Sequence, residues 1–375
     1  WWGYPVLIKI NSNFEKVWVK KFSPYKGGFY SMDLTDDGNI ILAGFISDNW
    51  DESGYDFWIA KIDSSNGDIL WSKKYGGDKK DVAYSVSVTS DNGFIVAGET
   101  KSFGEGDSDI WILKLDKDGN IEWQKTYGGS NYDRAVSIRP TSDGGYIVAG
   151  ETDSYGAGQR DVWILRLDSQ GAIQWQKTLG STNNDFVNEL IITSDNTYLF
   201  TGSSYNNSDY IWVFELNDSG EIVWQRLYGN GYSGQGFAIK ELGNNEGYII
   251  SGYLNNLFLM KIDKEGDIHN CYLIQEAETS VTETQITPSD TYITPQSYIP
   301  SPNDIEITIE DTDFSPSTLC KASSPYYSAF KVGKFGSGYR IEIGDNKAYI
   351  SSGSELSVWD LSSPCLLYTS PSPRD

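Results

Sequence analysis

The chain has one histidine, His269, in the run GDIHNC (266–271), so any Ser-His-Asp or Cys-His machinery must use it. No nucleophile motif accompanies it, and it stands where comparable segments carry tryptophan. We read it as a structural substitution. Three scattered cysteines and one histidine cannot build a Cys/His zinc site. The turns DSSNGD (63–68), DKDGN (116–120) and DKEGD (263–267) have the composition of calcium loops but lack the full alternating-acid pattern ending in glutamate. Tight hairpins demand the same residues. We therefore expect no cofactor, with calcium at Asp116, Asp118 and Asn120 as the alternative. Fifty-two acids offer too many pairs for sequence to choose a glycosidase dyad. Asp81, Asp133 and Asp185 recur at a spacing of 52. We expect them to bond backbone groups of a turn or a neighbouring unit, with a ring of carboxylates around a central channel as the alternative.

That recurrence is general. Trp71, Trp123, Trp175 and Trp224 each sit in G-x-I-x-W or a close variant, at spacings of 52, 52 and 49, and Trp18 lies 53 residues before Trp71. Gly98, Gly150 and Gly202 close FIVAG, YIVAG and YLFTG at spacings of 52, with Gly44 and Gly252 extending the series. Lys9, Lys61, Lys114, Arg166 and Lys261 align as well. Within one unit, DRAVSIRPT (133–141), YIVAG (146–150), DVWILRLD (161–168) and AIQWQKTLG (172–180) read as four short strands joined by Gly/Asp/Asn turns. A four-stranded sheet repeated this way cannot bury both faces alone. Radial stacking does so, which predicts an all-β fold, a β-propeller of four-stranded antiparallel blades. The repeat tryptophans are expected to pack between blades.

The expected units are 1–24 (partial), 25–77, 78–129, 130–180, 181–229 and 230–271. The partial unit matches only the last two strands of a blade, so the chain reads as a fragment that begins inside one, with about five and a half blades of an intact six or seven. Residues 272–325 are rich in Thr, Ser, Pro and acids and read as a linker or stalk. From 326 to 364 a new β pattern begins.

Departures from the repeat carry more information, as rim loops that contact a ligand or as solvated hairpin tips. Between the second-strand glycine and the third-strand aromatic there are 13 residues after Gly44, 12 after Gly98 and Gly150, 9 after Gly202 and 5 after Gly252. The long loops carry Trp50, Asp51, Phe103, Glu105, Tyr155 and Arg160, residue types suited to a sugar or peptide contact.

Net charge is 29 − 52 = −23, with no basic run, which excludes nucleic acid as a partner. No apolar run approaches the length of a membrane-crossing helix, so membrane insertion is not expected.

DIWILKLDKDGNIEWQKTYGG (109–129) and DRAVSIRPTSDGGYIVAGETDSYGAG (133–158) resemble a family of secreted bacterial and archaeal proteins built of ~50-residue β-propeller repeats. LDKDGNIEWQ also resembles pyrroloquinoline-quinone-type propeller repeats, without identifying quinone-binding residues. In the first family, Thr-rich segments flanked by cysteines follow the propeller, as Cys271 and Cys320 flank one here. A disulfide between them or two free thiols both fit. GYRIEIGDNKAYISSGSELSVWDLSSP (338–364) resembles an LVIVD-type repeat, itself a propeller unit, and CLLYTSPSPRD (365–375) resembles translated sequencing-adapter read-through of metagenomic origin. The resemblances imply a prokaryotic, extracellular or cell-surface protein. We expect a non-catalytic module binding a glycan, polysaccharide or protein. The alternatives are a quinone-dependent or polysaccharide-active enzyme, or a purely structural repeat.

Overall fold

The computed structural model describes residues 5–268, apart from 12–15, 24–25, 48–53, 206–208, 230–233 and 255, and beyond 268 only the backbones of short strands. The fold is all-β, made of repeated antiparallel blades of the β-propeller kind. One compact unit comprises residues 1–156, 160–179 and 281–307, and a second comprises 157–159, 180–280 and 308–375.

The first unit starts with β1 (Val6–Ile10) and β2 (Lys16–Ser23). Three full blades follow. They are β3 (Lys26–Leu34), β4 (Ile40–Ser47), β5 (Asp56–Ile62) and β6 (Ile69–Tyr75); β7 (Asp81–Val88), β8 (Phe94–Thr100), β9 (Asp109–Leu115) and β10 (Ile121–Tyr127); and β11 (Asp133–Pro140), β12 (Tyr146–Thr152), β13 (Asp161–Leu167) and β14 (Ile173–Gly180). The second unit holds β15 (Asp185–Ile192), β16 (Tyr198–Tyr205), β17 (Asp209–Leu216) and β18 (Ile222–Tyr228), then β19 (Gly234–Glu241), β20 (Tyr248–Leu254) and β21 (Asn256–Ile262). Within each blade neighbours in sequence are neighbours in the sheet.

The second and third strands read as continuous apolar runs because both their faces are covered. On β8, Phe94 and Val96 join a core with Phe57 and Ile59 of the preceding blade, while Ile95 and Ala97 join Ile138, Val148 and Trp163 of the next. In the second unit Leu199, Ile211 and Val213 pack with Ile239, Ile250 and Met260 in the same manner. Trp58, Trp111, Trp163 and Trp212, on the third strands, are the largest fully buried side chains.

Adjacent blades are also joined at both edges. Ser31 Oγ accepts the Val86 N–H at 3.1 Å and Ser85 Oγ accepts the Ile138 N–H at 3.2 Å, so the inner strands' free edge groups find partners in the neighbouring blade. At the outer edge the Tyr75 hydroxyl donates to Gly119 O and the Tyr127 hydroxyl to Gly171 O, each at 2.7 Å. Beside these bonds Trp71 lies over Gly119 and Trp123 over Gly171; Trp18 and Trp224 cover Gly67 and Gly266 in the same way.

Within the segment read as a linker or stalk, short stretches pair with outer blade strands. β22 (Ile274–Glu276) pairs with β18, β23 (Ser280–Glu283) with β14, β24 (Ser289–Asp290) with β10, β25 (Gln296–Ser297) with β6, and β26 (Ser301–Asp304) with β2. An outer strand presents unpaired N–H and C=O groups, and an extended Thr/Ser-rich chain can satisfy them. Further on, β27 (Ser317–Thr318) and β32 (Leu367–Thr369) extend the β19–β21 sheet, while β28 (Ala329–Lys334), β29 (Tyr339–Gly344), β30 (Lys347–Ser352) and β31 (Glu355–Asp360) form a sheet of their own.

Gly119 has φ +75°, and a Cβ there would stand 2.9 Å from the Trp71 ring; Gly144 has φ +84° with nothing within 4 Å. Both substitutions to alanine therefore carry the backbone penalty, but only Gly119→Ala also displaces a tryptophan. Thermal unfolding is expected to show Gly119→Ala as the more destabilising by about 1–3 kcal/mol. Equal losses would mean that the Trp71 contact does not hold the blades together.

Candidate functional site

The loop end of the first unit concentrates the buried ionisable groups. Asp81 is fully buried; it accepts from the Gly77 N–H at 3.0 Å, Ser102 Oγ at 2.7 Å and Thr100 Oγ1 at 2.5 Å. Asp133 accepts from the Gly129 N–H at 2.8 Å and Ser154 Oγ at 2.7 Å. In the second unit Asp185 accepts from the Ser181 N–H at 2.6 Å. All three are sealed in and tie a loop to the start of the inner strand. They form no open ring of carboxylates.

Asp109 lies against the backbones of Gly104 and Gly128 and accepts the Glu105 N–H. Burial, with the Asp133 charge added, pushes its carboxyl up to about 7. Burial likewise lifts Asp81 to about 6 against its three donors.

Trp50 and Asp51 lie outside the described residues, as do His269, Cys271 and Cys320. Phe103 and Tyr155, expected as ligand contacts, turn inward. Their rings pack on Trp111 and Trp163 at 5.1 and 5.2 Å, and the Tyr155 hydroxyl donates to Gly128 O. A loop of this length needs an apolar anchor, and these aromatics supply it. Glu105 is exposed.

Asp116 accepts from the N–H groups of Asp118 and Asn120 at 2.9 and 2.8 Å and from Asn120 Nδ2, which closes the hairpin; Asp118 pairs with Lys117. Asp168 and Asp263 close their turns in the same way. Among the described residues no group of three or more His, Cys, Asp or Glu is placed to hold a metal.

Among the described loop residues, Arg160 is built into a larger arrangement. It bonds Asp153 through two nitrogens at 2.7 and 2.9 Å, approaches Glu151 at 3.6 Å and lies 4.7 Å from the centre of the Tyr132 ring. Arg134 holds Glu151 through Nε and Nη2 at 3.0 and 3.1 Å and stacks on Tyr84 at 5.6 Å. Tyr84 meets Tyr30 at 5.2 Å, and Tyr30 stacks on Phe45. Glu99 accepts from the Tyr132 hydroxyl and stands 2.5 Å from Lys80. Burial disfavours its charge, but the Lys80 and Tyr132 bonds outweigh this and hold Glu99 below the usual range. Glu151 is moved the other way, upward, by deeper burial that Arg134 only partly offsets.

Sequence reasoning missed Glu99, Glu151, Arg134, Tyr132, Tyr84 and Tyr30. A usable signal existed. Each inner strand carries a bulge, seen where Ala83 pairs with Gly98 but Ser85 pairs with Ala97, leaving Tyr84 over. The residue after the facing glycine is Phe45, Glu99, Glu151, Ser203 or Tyr253, and thus varies where its surroundings repeat.

No known protein-family profile matches the chain. Regulatory protein FlaEY of Caulobacter vibrioides is 26% identical over 136 residues, 32% of this chain and 14% of that protein. Among solved structures, a Bacteroides caccae protein of unknown function aligns at TM-score 0.45 and 15% identity over 73% of this chain and 94% of its own. The periplasmic gluconolactonase PpgL of Pseudomonas aeruginosa aligns at TM-score 0.46 and 11% identity over 98% and 99%. Sqt1 of Chaetomium thermophilum aligns at TM-score 0.40 and 11% identity over 91% and 71%.

The raised carboxyls set a pH dependence. Asp81 and Asp109 bind protons more tightly folded than unfolded, so their contribution is complete below about 4 and is lost as pH rises through about 6 to 7. Asp91, held down at about 2 by Lys114 and Thr89 against its burial, acts oppositely and loses its contribution as pH falls from about 4 toward 2. The melting temperature is expected to rise from pH 8 to pH 5, and Asp109→Asn to flatten the limb above pH 6. A limb unchanged by that substitution would remove Asp109 as its source.

Proposed function

We propose that this chain is a binding module without catalysis of its own, set outside the cell or on its surface. It takes a protein segment on the loop end of the first unit. The observation that carries this reading is the run Tyr30, Tyr84, Arg134, with Tyr132 and Arg160 beside it, fixed from below by Glu99 and Glu151. Tyrosine and arginine dominate protein-binding hot spots, and held side chains lose less entropy on association. Tyr30 remains 37% exposed, enough to meet a partner. The acidic composition fits an extracellular setting.

A catalytic reading has Asp109 as its best support, since a carboxyl raised toward neutrality can act as an acid. Against it, Asp109 is only 3% exposed and shielded by the Gly104 and Gly128 backbones.

Peptide-display selection on the immobilised protein tests the proposal, together with a panel of lactones and polysaccharides assayed for products. Enriched peptides are expected to lose about tenfold or more in affinity to Tyr84→Ala and Arg134→Ala, with no product formed. Unchanged binding to both variants would rule out this face, and turnover abolished by Asp109→Asn would rule out the non-catalytic reading.

A further inference from the structure

At the opposite, turn end of the first unit a cavity of about 650 Å³ opens between the β7–β10 and β11–β14 blades, within the size range of small-molecule sites. Its lining includes Asp91, Lys114, Glu122, Trp123, Tyr146 and Ser169. Part of this is repeat architecture. Lys114 bonds Asp91 at 2.8 Å, as Lys61 bonds Asp37 and Arg166 bonds Asp143. The rest is not. Glu122 stands where the preceding blade has Leu70, Tyr146 where it has Phe94, and Ser169 and Gln170 where it has Lys117 and Asp118. Each change places a hydrogen-bonding group at the cavity or removes a charge from it.

Tyr146 is the decisive residue. It is 3% exposed, lines the cavity, and its hydroxyl has no hydrogen-bond partner among the described residues. The corresponding Tyr198 in the second unit donates to Asp218 at 2.6 Å. The hydroxyl opens into the cavity and is available to hydrogen-bond a ligand there. Burial, with the Asp91 and Glu122 charges added, lifts Tyr146 to about 12, so the hydroxyl keeps its proton and stays a donor. Beside it Trp123 meets the Tyr146 ring at 5.9 Å, its indole N–H held by Ser169 O at 3.1 Å.

We propose that this cavity is a binding site for a neutral saccharide, separate from the loop-end face. Lys114 is already spent on Asp91, on Glu122 at 3.0 Å and on the Leu115 carbonyl, so no free cation is offered to a phosphate or carboxylate. Two carboxylates against one ammonium leave the cavity negative, which repels acidic ligands. A sugar hydroxyl both donates and accepts, matching the carboxylates on one side and Tyr146, Ser169 and Gln170 on the other. Trp123 and Tyr146 supply apolar surface for the C–H face of a pyranose ring.

The test is calorimetric titration of the full chain with neutral gluco-, manno-, galacto- and N-acetylglucosamine trisaccharides, with a galacturonate trisaccharide as the acidic control. At least one neutral sugar is expected to bind and the acidic one not. Tyr146→Phe should weaken binding about tenfold, the loss of one matched hydrogen bond. The combined exchange Glu122→Leu, Ser169→Lys, Gln170→Asp should abolish it. Every incoming residue already serves the neighbouring blade, so these variants are expected to fold, and circular dichroism verifies this. Failure of every neutral sugar to bind, equal binding of galacturonate, or undiminished binding by the folded exchange variant would each overturn the proposal.

Discussion

The second and third strands of every blade bury side chains on both faces, and no sheet of this chain can satisfy that requirement alone. β8 shows the constraint plainly. Phe94 and Val96 need the preceding blade, and Ile95 and Ala97 need the next. Burial of apolar surface is the main favourable term in folding, so stacking is where stability arises. The edge contacts then fix the stacking register. Ser31 and Ser85 meet the inner strands' free N–H groups, and Tyr75 and Tyr127 reach the next blade's turn.

That register explains the strictest repeat position. Gly98 faces the bulge at Tyr84, where an added Cβ would stand 2.0 Å from the Val82 carbonyl oxygen; Gly44 and Gly202 face the same crowding. The glycine is forced by the backbone, while its neighbours in the loop-end layer are not. The bulge residue and the residue after the glycine are thereby free to differ from blade to blade. The last two blades of the first unit use that freedom for Tyr84, Glu99 and Glu151.

Fold and site were therefore unequally legible. The spacing of 52 in the tryptophans and glycines carries the blade architecture, because packing repeats whenever blades repeat. Long-range pairing is less visible: nothing in the Thr- and Pro-rich composition of 272–325 announces that Ser289–Asp290 would meet β10 or Gln296–Ser297 would meet β6. Loop length drew attention to Phe103 and Tyr155, whose rings the structure packs inward on Trp111 and Trp163. Of the loop residues considered, Arg160 joins the cluster because its guanidinium bridges Asp153 and the Tyr132 ring. The chemistry lay in the residues that break the period, which a search for recurrence passes over.

The buried glutamates show why those breaks matter. The position of Glu99 and Glu151 is held in the preceding blade by Phe45, which stacks on Tyr30 and Tyr55 with no charge. Apolar packing therefore already solves this position within the same fold. Replacing a well-packed apolar group by a buried ion pair is neutral at best for stability, because desolvation takes back what attraction gives. Glu151 nonetheless sits 1% exposed and holds Arg134 through two nitrogens. What that pair achieves, and Phe45 does not, is a guanidinium fixed over Tyr84 at the protein's surface. Stability does not call for that arrangement, and the proposed binding role rests on that difference.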